Sequence, residues 1–207
     1  MEPDVLPPRA LTKRYDDALL YASNAHRTQF RKNGRAPYLS HLIRVSGLTF
    51  DYGATEDVAI AALLHDVVED CGGLKRSEEV RVLFGDRVAD IVLATSDSLA
   101  ESPDKKEPWR TRKERYLERL KSCSEEAALV IGCDKLDNVC SLTRTLEMSD
   151  AAAASSFLRK FKANRQDNFW YYETSAGILR DRGCLVNVEL FRAIDVLKSI
   201  WKEEGKD

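Results

Sequence analysis

The residues of this chain that could do chemistry are its three histidines and the acids near two of them. His65 and Asp66 open the string HDVVED, His41 follows a basic stretch, and Asp134 lies far downstream in CDKLDN. Imidazoles and carboxylates together suit a borderline ion such as Mn²⁺, Fe²⁺ or Zn²⁺ better than Mg²⁺ or Ca²⁺. The pattern predicts one divalent cation with open positions for water and a phosphate oxygen, which is a phosphohydrolase arrangement.

The segment around His65 conflicts with ordinary helix stability. Residues 60–64 are all apolar, which indicates burial on every side of a helix. On a regular helix Asp66 faces Glu69 at i+3 and Asp70 at i+4, and like charges at those spacings destabilise the helix. Carboxylates near a helix C-terminus also oppose the macrodipole. A bound cation removes the repulsion, whereas the alternative is an acidic helix end that is simply exposed to water.

A second feature is an acid-free stretch between Asp17 and Asp51. Its basic side chains are Arg27, Arg31, Lys32, Arg35 and Arg44, together with His26 and His41. A locally cationic segment favours a small anionic ligand. The alternative is a basic strip on a solvated helix.

Composition limits the class of protein. The chain has 207 residues, of which 43% are hydrophobic and 32% charged, with a net charge of −2. These values are typical of a soluble globular protein and point to neither a nucleic acid polymer nor a membrane surface as partner. We expect an N-terminal tail over residues 1–10 and a single domain over residues 11–207.

The cysteine pattern and the hydropathy indicate the cellular compartment in which the protein works. The five cysteines are scattered and form no C-x-x-C pair, which argues against a disulfide framework or a zinc knuckle. No apolar run reaches about 18 residues, and the first ten residues are polar with three prolines. We therefore expect a cytoplasmic protein without a membrane span or a signal peptide.

The apolar spacing is helical almost throughout. It predicts a long apolar helix after Ser124 that carries Asp134 and Asn138. Earlier predicted helices span residues 11–32, 39–52 and 56–70. Because no segment alternates as a strand does, we predict an all-α fold, a bundle of helices with short connections.

Three sequence blocks resemble one known family. They are AHRTQFRKNGRAPYLSHL, then AALLHDVVED with FG after it, and CDKLDN. In order and spacing they are similar to the HD-type hydrolase domain of RelA/SpoT proteins, above all to stand-alone small alarmone hydrolases, over roughly residues 15–145. The resemblance implies an HD-domain helical bundle that removes the 3′-pyrophosphate from guanosine 3′,5′-bis(pyrophosphate). It leaves no room for a synthetase domain and so implies degradation without synthesis.

The resemblance also assigns roles by position. It implies four ligands for one metal ion, usually Mn²⁺ in this family, which are His41, His65, Asp66 and Asp134. It implies that an acidic pair, Glu69 and Asp70, orients or deprotonates the attacking water. It places three polar side chains near the substrate, which are Arg31, Lys32 and Asn138. The implied partner is a small nucleotide.

Four positions depart from the family pattern. Leu42 follows His41 in place of proline, and Ile131 replaces a lysine. Asp137 stands where aromatic residues or histidine are usual, and Val139 replaces an arginine. We expect these changes to alter part of the pocket wall, which leaves the choice between guanine and adenine open.

Two other functions fit the same residues. One is a phosphomonoesterase acting on a 2′-, 3′- or 5′-phosphate, as in an NADPH-type or adenosine alarmone substrate. The other is a non-catalytic regulator that binds a nucleotide on a decayed hydrolase fold. The sequence leaves the oligomeric state open.

Overall fold

The computed structural model describes residues 10–32, 36–100 and 106–201; the predicted tail over residues 1–9 and Arg35 lie outside them. The described residues form eleven α-helices. Their bounds are α1 Lys13–Ala25, α2 Leu39–Asp51, α3 Glu56–Leu64, α4 Val67–Cys71, α5 Leu74–Phe84, α6 Asp86–Thr95, α7 Trp109–Leu120, α8 Glu125–Glu147, α9 Ala151–Leu158, α10 Arg165–Asp181 and α11 Asn187–Ile200. The all-α prediction is confirmed, since within the described ranges the one β-type pairing is an isolated bridge between Phe30 and Pro37. In this part of the chain, no helix has the length and apolarity needed to cross a bilayer.

The first helix ends at Ala25, whereas the sequence predicted it to continue to Lys32. The chain then turns, and the backbone N–H groups of Arg31 and Tyr38 donate to the carbonyls of Ala36 and Gln29 at 2.9 Å each. The helical prediction was wrong here because the residues after Ala25 present no continuous apolar face to the core. Phe30, for example, is exposed.

The third predicted helix is interrupted at His65 and Asp66, and it forms two helices, α3 and α4. The backbone of both residues stays in the α region, and their side chains approach each other to 3.0 Å between His65 Nε2 and Asp66 Oδ2. The predicted continuous helix was wrong, since these two residues form a turn between α3 and α4.

Two helices form the centre of the bundle. Residues 58–64 of α3 are all buried, as their apolar sequence predicted. Helix α3 packs against α1, α2, α6 and α8, and α8 packs against α2, α3, α6, α10 and α11. The predicted start of α8 is confirmed, since the Ser124 hydroxyl accepts a hydrogen bond from the Ala127 N–H. The core therefore rigidly supports the C-terminal end of α3 and the middle of α8.

Helix α8 and the start of α11 approach most closely at Gly132. A Cβ at this position would lie 2.2 Å from Val186 Cγ1 and 3.4 Å from Leu179 Cδ1. The close approach explains why the residue two positions before Asp134 has no side chain.

The close contact predicts a stability difference between two glycine variants. Gly132→Ala adds a methyl group where Val186 already lies, and overpacking of this kind costs about 1–3 kcal/mol. Gly177→Ala in α10 is the matched control, because nothing lies within 4 Å of its Cβ position and alanine favours a helix by about 1 kcal/mol. In guanidinium unfolding, Gly132→Ala should be the less stable variant; equal stability would contradict the close approach.

Candidate metal and substrate site

The helices bring the four predicted metal ligands together. His41 lies on α2, His65 and Asp66 lie at the interruption after α3, and Asp134 lies on α8. His41 Nε2 is 3.2 Å from Asp134 Oδ1 and 3.9 Å from Asp66 Oδ2. His65 Nε2 is 3.0 Å from Asp66 Oδ2 and 3.7 Å from Asp134 Oδ1. In His41, His65 and Asp66, the potential ligand atoms all lie within 4.8 Å of one another.

Both imidazoles turn an unpartnered nitrogen toward the carboxylates. His41 Nδ1 is 2.6 Å from Asp137 Oδ2, and His65 Nδ1 is 2.7 Å from the Ala62 carbonyl oxygen. Carboxylate and carbonyl oxygens only accept hydrogen bonds, so each Nδ1 is the donor and the neutral ring keeps its lone pair at Nε2. Both Nε2 atoms are buried without a hydrogen-bond partner. Such lone pairs beside carboxylates fit the donor set of a divalent cation.

The electrostatics of the site attract positive charge. Burial lowers the pKa of His65, but the negative charges of Asp66 and Asp134 outweigh it and raise this pKa well above its ordinary value. Burial raises the pKa of Asp134, but the Lys135 ammonium and the two imidazoles outweigh it and lower this pKa. The carboxylates therefore remain ionised, and the space between them and the imidazoles favours a proton or a cation.

Neighbouring side chains hold the two carboxylates in place. The Tyr38 hydroxyl donates to Asp66 Oδ2 at 2.5 Å. Asn138 Nδ2 donates to Asp134 Oδ1 at 2.5 Å, and the Lys135 ammonium donates to Asp134 Oδ2. Such partners orient the ligands of a metal before it binds.

The acidic pair on α4 lines the same cavity as Asp66 and Asp134. Lys106 Nζ lies between the two side chains, 3.1 Å from Glu69 Oε1 and 3.4 Å from Asp70 Oδ1. Glu69 also accepts a hydrogen bond from the Asp97 backbone N–H at 3.2 Å, and Asp70 accepts one from Gln29 Nε2 at 2.9 Å. Burial and the charge of Asp97 raise the pKa of Glu69 to about 7.

The cavity has a volume of about 360 Å³, and the three predicted substrate-binding residues line it. Arg31 Nη2 donates to Asn138 Oδ1 at 2.8 Å. The Lys32 ammonium lies 4.0 Å from the centre of the Phe161 ring. Burial and the neighbouring cations lower the pKa of Lys32 to about 8. The cavity thus combines acids at the metal-binding side with cations elsewhere in its wall.

Sequence reasoning missed two cations of the cavity wall, Lys113 and Lys135. Lys113 Nζ is 2.5 Å from the buried carboxylate of Asp97 and lies 4.7 Å from the centre of the Tyr171 ring. Helix α7 carries many charges, so no sequence signal separates Lys113 from its solvated neighbours. Lys135 follows a predicted ligand directly, and that adjacency was the available signal.

His26 lies beside the metal-binding cluster. Its ring stacks on Tyr38 with centroids 5.2 Å apart, and its Nδ1 is 2.6 Å from Gln29 Oε1. It does not belong to the group of possible ligands found among the described residues. It therefore supports Tyr38 and Gln29, which in turn contact Asp66 and Asp70.

The expectation that the four departures alter the pocket wall was wrong. Leu42, Ile131 and Val139 are buried in the core, and none of the four residues lines the cavity. Asp137 lies behind His41 and accepts hydrogen bonds from its Nδ1 and from Arg44 Nε. The reason is geometric: the neighbour of a pocket residue on a helix points about 100° away from it.

Comparison with known proteins gives the same family as the motifs. The HD domain matches residues 18–167. A guanosine-3′,5′-bis(diphosphate) 3′-pyrophosphohydrolase, MESH1, of Xenopus tropicalis is 36% identical over 131 residues, which are 62% of this chain and 69% of that protein. The MESH1 of Drosophila melanogaster is 38% identical over 129 residues, or 61% of this chain and 68% of that protein.

A solved structure is similar over most of the chain. It was described as a metazoan ortholog of SpoT that hydrolyzes ppGpp and plays a role in starvation responses. The superposition has a TM-score of 0.71 at 29% identity and covers 91% of this chain and 97% of that one. The resemblance read from the three motif blocks is confirmed. The chain belongs to the HD domain family, among the relatives of the metazoan SpoT ortholog.

Proposed function

We propose that this chain is a metal-dependent phosphohydrolase that removes the 3′-pyrophosphate from guanosine 3′,5′-bis(pyrophosphate) or its 5′-triphosphate form, without a synthetase activity. One observation carries the proposal. Two buried imidazoles turn unpartnered Nε2 atoms toward the carboxylates of the partly buried Asp66 and the buried Asp134, beside a cavity whose wall contains several cations. The names of the relatives support the substrate, because they are 3′-pyrophosphohydrolases of this nucleotide.

The proposed metal ligands are the four predicted residues His41, His65, Asp66 and Asp134. Their nitrogen and oxygen atoms suit Mn²⁺, which we propose as the metal, with Fe²⁺ and Zn²⁺ as alternatives. When bound, such a cation acts as a Lewis acid toward water and a phosphate oxygen. The ordered contacts of Asp66 and Asp134 with Tyr38, Asn138 and Lys135 support a preorganised site.

Glu69 and Asp70 are proposed to handle the attacking water. A general base works best when its pKa lies near the working pH, and the pKa of Glu69 is raised to about 7. Glu69 would therefore accept a proton from the water during attack on the 3′-phosphorus. Asp70, held by Gln29 at Oδ2 and by Lys106 at Oδ1, would orient the same water.

The cations of the cavity wall are proposed to bind the polyphosphates. Arg31, Lys32 and Lys113 offer positive charge to phosphate oxygens in a partly enclosed space, where such contacts are stronger than in water. Asn138 would complete the pocket beside Arg31. As the water oxygen bonds to the 3′-phosphorus and the bond from that phosphorus to the ribose 3′-oxygen breaks, negative charge builds up on the phosphate oxygens, and these cations stabilise it more than they stabilise the ground state. The departing 3′-oxygen takes up a proton, and the pyrophosphate carries the oxygen of the water.

The remaining proposals concern organisation and location. We propose a single domain over residues 11–207, with the small nucleotide as its partner. All five cysteines are free thiols in the structure, which supports a cytoplasmic location.

Substitution of the metal ligands and substitution of the proposed base should have different effects on metal content and turnover. His65→Ala and Asp66→Ala should abolish turnover and lose bound metal, because each removes a ligand. Glu69→Gln should keep its metal and lower kcat by about 10²–10⁴-fold, the usual contribution of a general base. Metal content by mass spectrometry and kcat give the two readouts, with the exposed Asp90→Asn as control. Full activity of Asp66→Ala with added Mn²⁺ would refute the site assignment.

Product analysis tests the reaction itself. With Mn²⁺ and guanosine 3′,5′-bis(pyrophosphate), we expect pyrophosphate and the 5′-diphosphate nucleotide, separated by ion-exchange chromatography. Release of orthophosphate would instead indicate a phosphomonoesterase. Metal and nucleotide binding without any product would indicate a regulator. The adenosine counterpart, assayed in parallel, measures the base preference as a ratio of kcat/KM values.

The lowered pKa of Lys32 predicts a pH dependence of substrate binding. Its side chain is an ammonium below a pKa of about 8 and loses this charge above it. KM should therefore rise between about pH 7 and 9, by roughly tenfold if one charged contact of about 1.5 kcal/mol is lost. Lys32→Arg keeps its charge over this range, so its KM should stay flat. The same rise in Lys32→Arg would attribute the effect to another group.

A further inference from the structure

We propose that Asp137 is a positioning residue of the metal site, which fixes the ring orientation and tautomer of His41. The inference rests on the proposed function, because it requires a cation at the cluster.

The contact between the two side chains is short and buried. Asp137 Oδ2 lies 2.6 Å from His41 Nδ1, and the side chains are 3% and 0% exposed. An ionised carboxylate accepts and does not donate, so this contact, shorter than the 3.2 Å between Nε2 and Asp134 Oδ1, favours the neutral His41 tautomer with its proton on Nδ1. The lone pair then remains on Nε2, the atom that lies 3.2 Å from Asp134 Oδ1 and has no hydrogen-bond partner. The contact selects the one tautomer that can bind a metal through Nε2.

Arginine side chains hold Asp137 in this orientation. Arg44 Nε lies 2.5 Å from Oδ1, and Arg44 Nη2 lies 3.3 Å from Oδ2. Arg31 and Arg144 add positive charge at 3.8 Å and 4.0 Å from the carboxylate oxygens. Since His41 and Arg44 are three residues apart on α2, one carboxylate from α8 contacts the same face of α2 twice. This double contact fixes the rotation of α2 and, with it, the direction of the His41 ring.

The second imidazole shows what the carboxylate adds. His65 Nδ1 donates to a backbone carbonyl, that of Ala62, which carries no formal charge. A hydrogen bond to an ionised acceptor is stronger than one to a neutral acceptor. It also makes the ring a better electron donor toward a metal. His41 is therefore the better-supported ligand of the two, and Asp137 supplies the difference.

Asp137 does not line the substrate cavity, whereas its neighbour Asn138 does. A change at Asp137 should therefore act first on metal binding, while its effect on Arg31, 3.8 Å from the carboxylate, is read separately from the substrate KM. This separates it from Asn138, Arg31 and Lys32, whose loss should raise the substrate KM.

The experiment compares metal affinities of chelator-stripped proteins. Mn²⁺ is titrated calorimetrically into the wild-type protein, Asp137→Ala and Asp137→Asn, with the exposed Asp90→Asn as control. Asp137→Ala should weaken binding by about 10–100-fold, as loss of such a partner usually does. Asp137→Asn should weaken it less, because its amide oxygen still accepts the Nδ1 proton without a full charge. At saturating Mn²⁺, both variants should regain most of kcat.

A spectroscopic readout reports the tautomer directly. In ¹⁵N–¹H spectra of the imidazoles, wild-type His41 should show a protonated Nδ1 and an unprotonated Nε2. Asp137→Ala should shift this pattern toward a mixture of the two tautomers. A merely structural role for Asp137 would lower stability without changing the His41 signals of the folded protein.

Equal Mn²⁺ affinity of the wild type and both variants would overturn the inference while leaving the proposed function standing. If Asp137→Ala does not fold, Asp137→Asn decides alone, and wild-type affinity in that variant overturns it as well. A wild-type protein that binds no divalent cation would overturn the proposed function and this inference together.

Discussion

The meeting of two buried imidazoles with the carboxylates of Asp66 and Asp134 is the constraint on which the rest of the structure depends. Desolvated ionised groups are costly unless opposite charge compensates them. The Lys135 ammonium contacts Asp134 Oδ2, and the Tyr38 hydroxyl contacts Asp66 Oδ2, the oxygen that lies 3.0 Å from His65 Nε2. Helices α2, α3 and α8 must cross at this point, and the interruption between α3 and α4 brings adjacent side chains to the same place.

Charge is partitioned around this point. Acidic side chains concentrate where the metal is proposed to bind, while Arg31, Lys32 and Lys113 lie elsewhere in the cavity wall. The acidic and the basic side chains also contact each other, since Lys106 lies beside both Glu69 and Asp70. Burial in this partly enclosed cavity, together with neighbouring charges of the same sign, raises the pKa of Glu69 and lowers that of Lys32. The acidic side chains complement a divalent cation, and the basic side chains complement a polyanionic nucleotide.

The departures from the family pattern show that neighbouring positions of one motif on α8 face different parts of the structure. On α8, Asp134 and Asn138 are one turn apart and face the cavity, whereas Ile131 and Val139 face the core. Asp137 faces α2 and contacts the ring of His41 from behind. Read along the chain, all of these positions look like parts of one motif. On the helix they point in different directions, so a change beside a pocket residue need not change the pocket.

By itself the sequence determined the helical class, the burial of α3, the start of α8 and the four side chains that meet at the site. These follow from local periodicity, a serine cap, and a motif of unusual residue types. The sequence did not determine the end of α1 at Ala25, the interruption at His65 and Asp66, or the partners of each ring nitrogen. Lys113 in the cavity wall and Asp137 behind His41 are also products of packing. Only tertiary structure decides these, because they depend on contacts between residues distant along the chain, which no local pattern encodes.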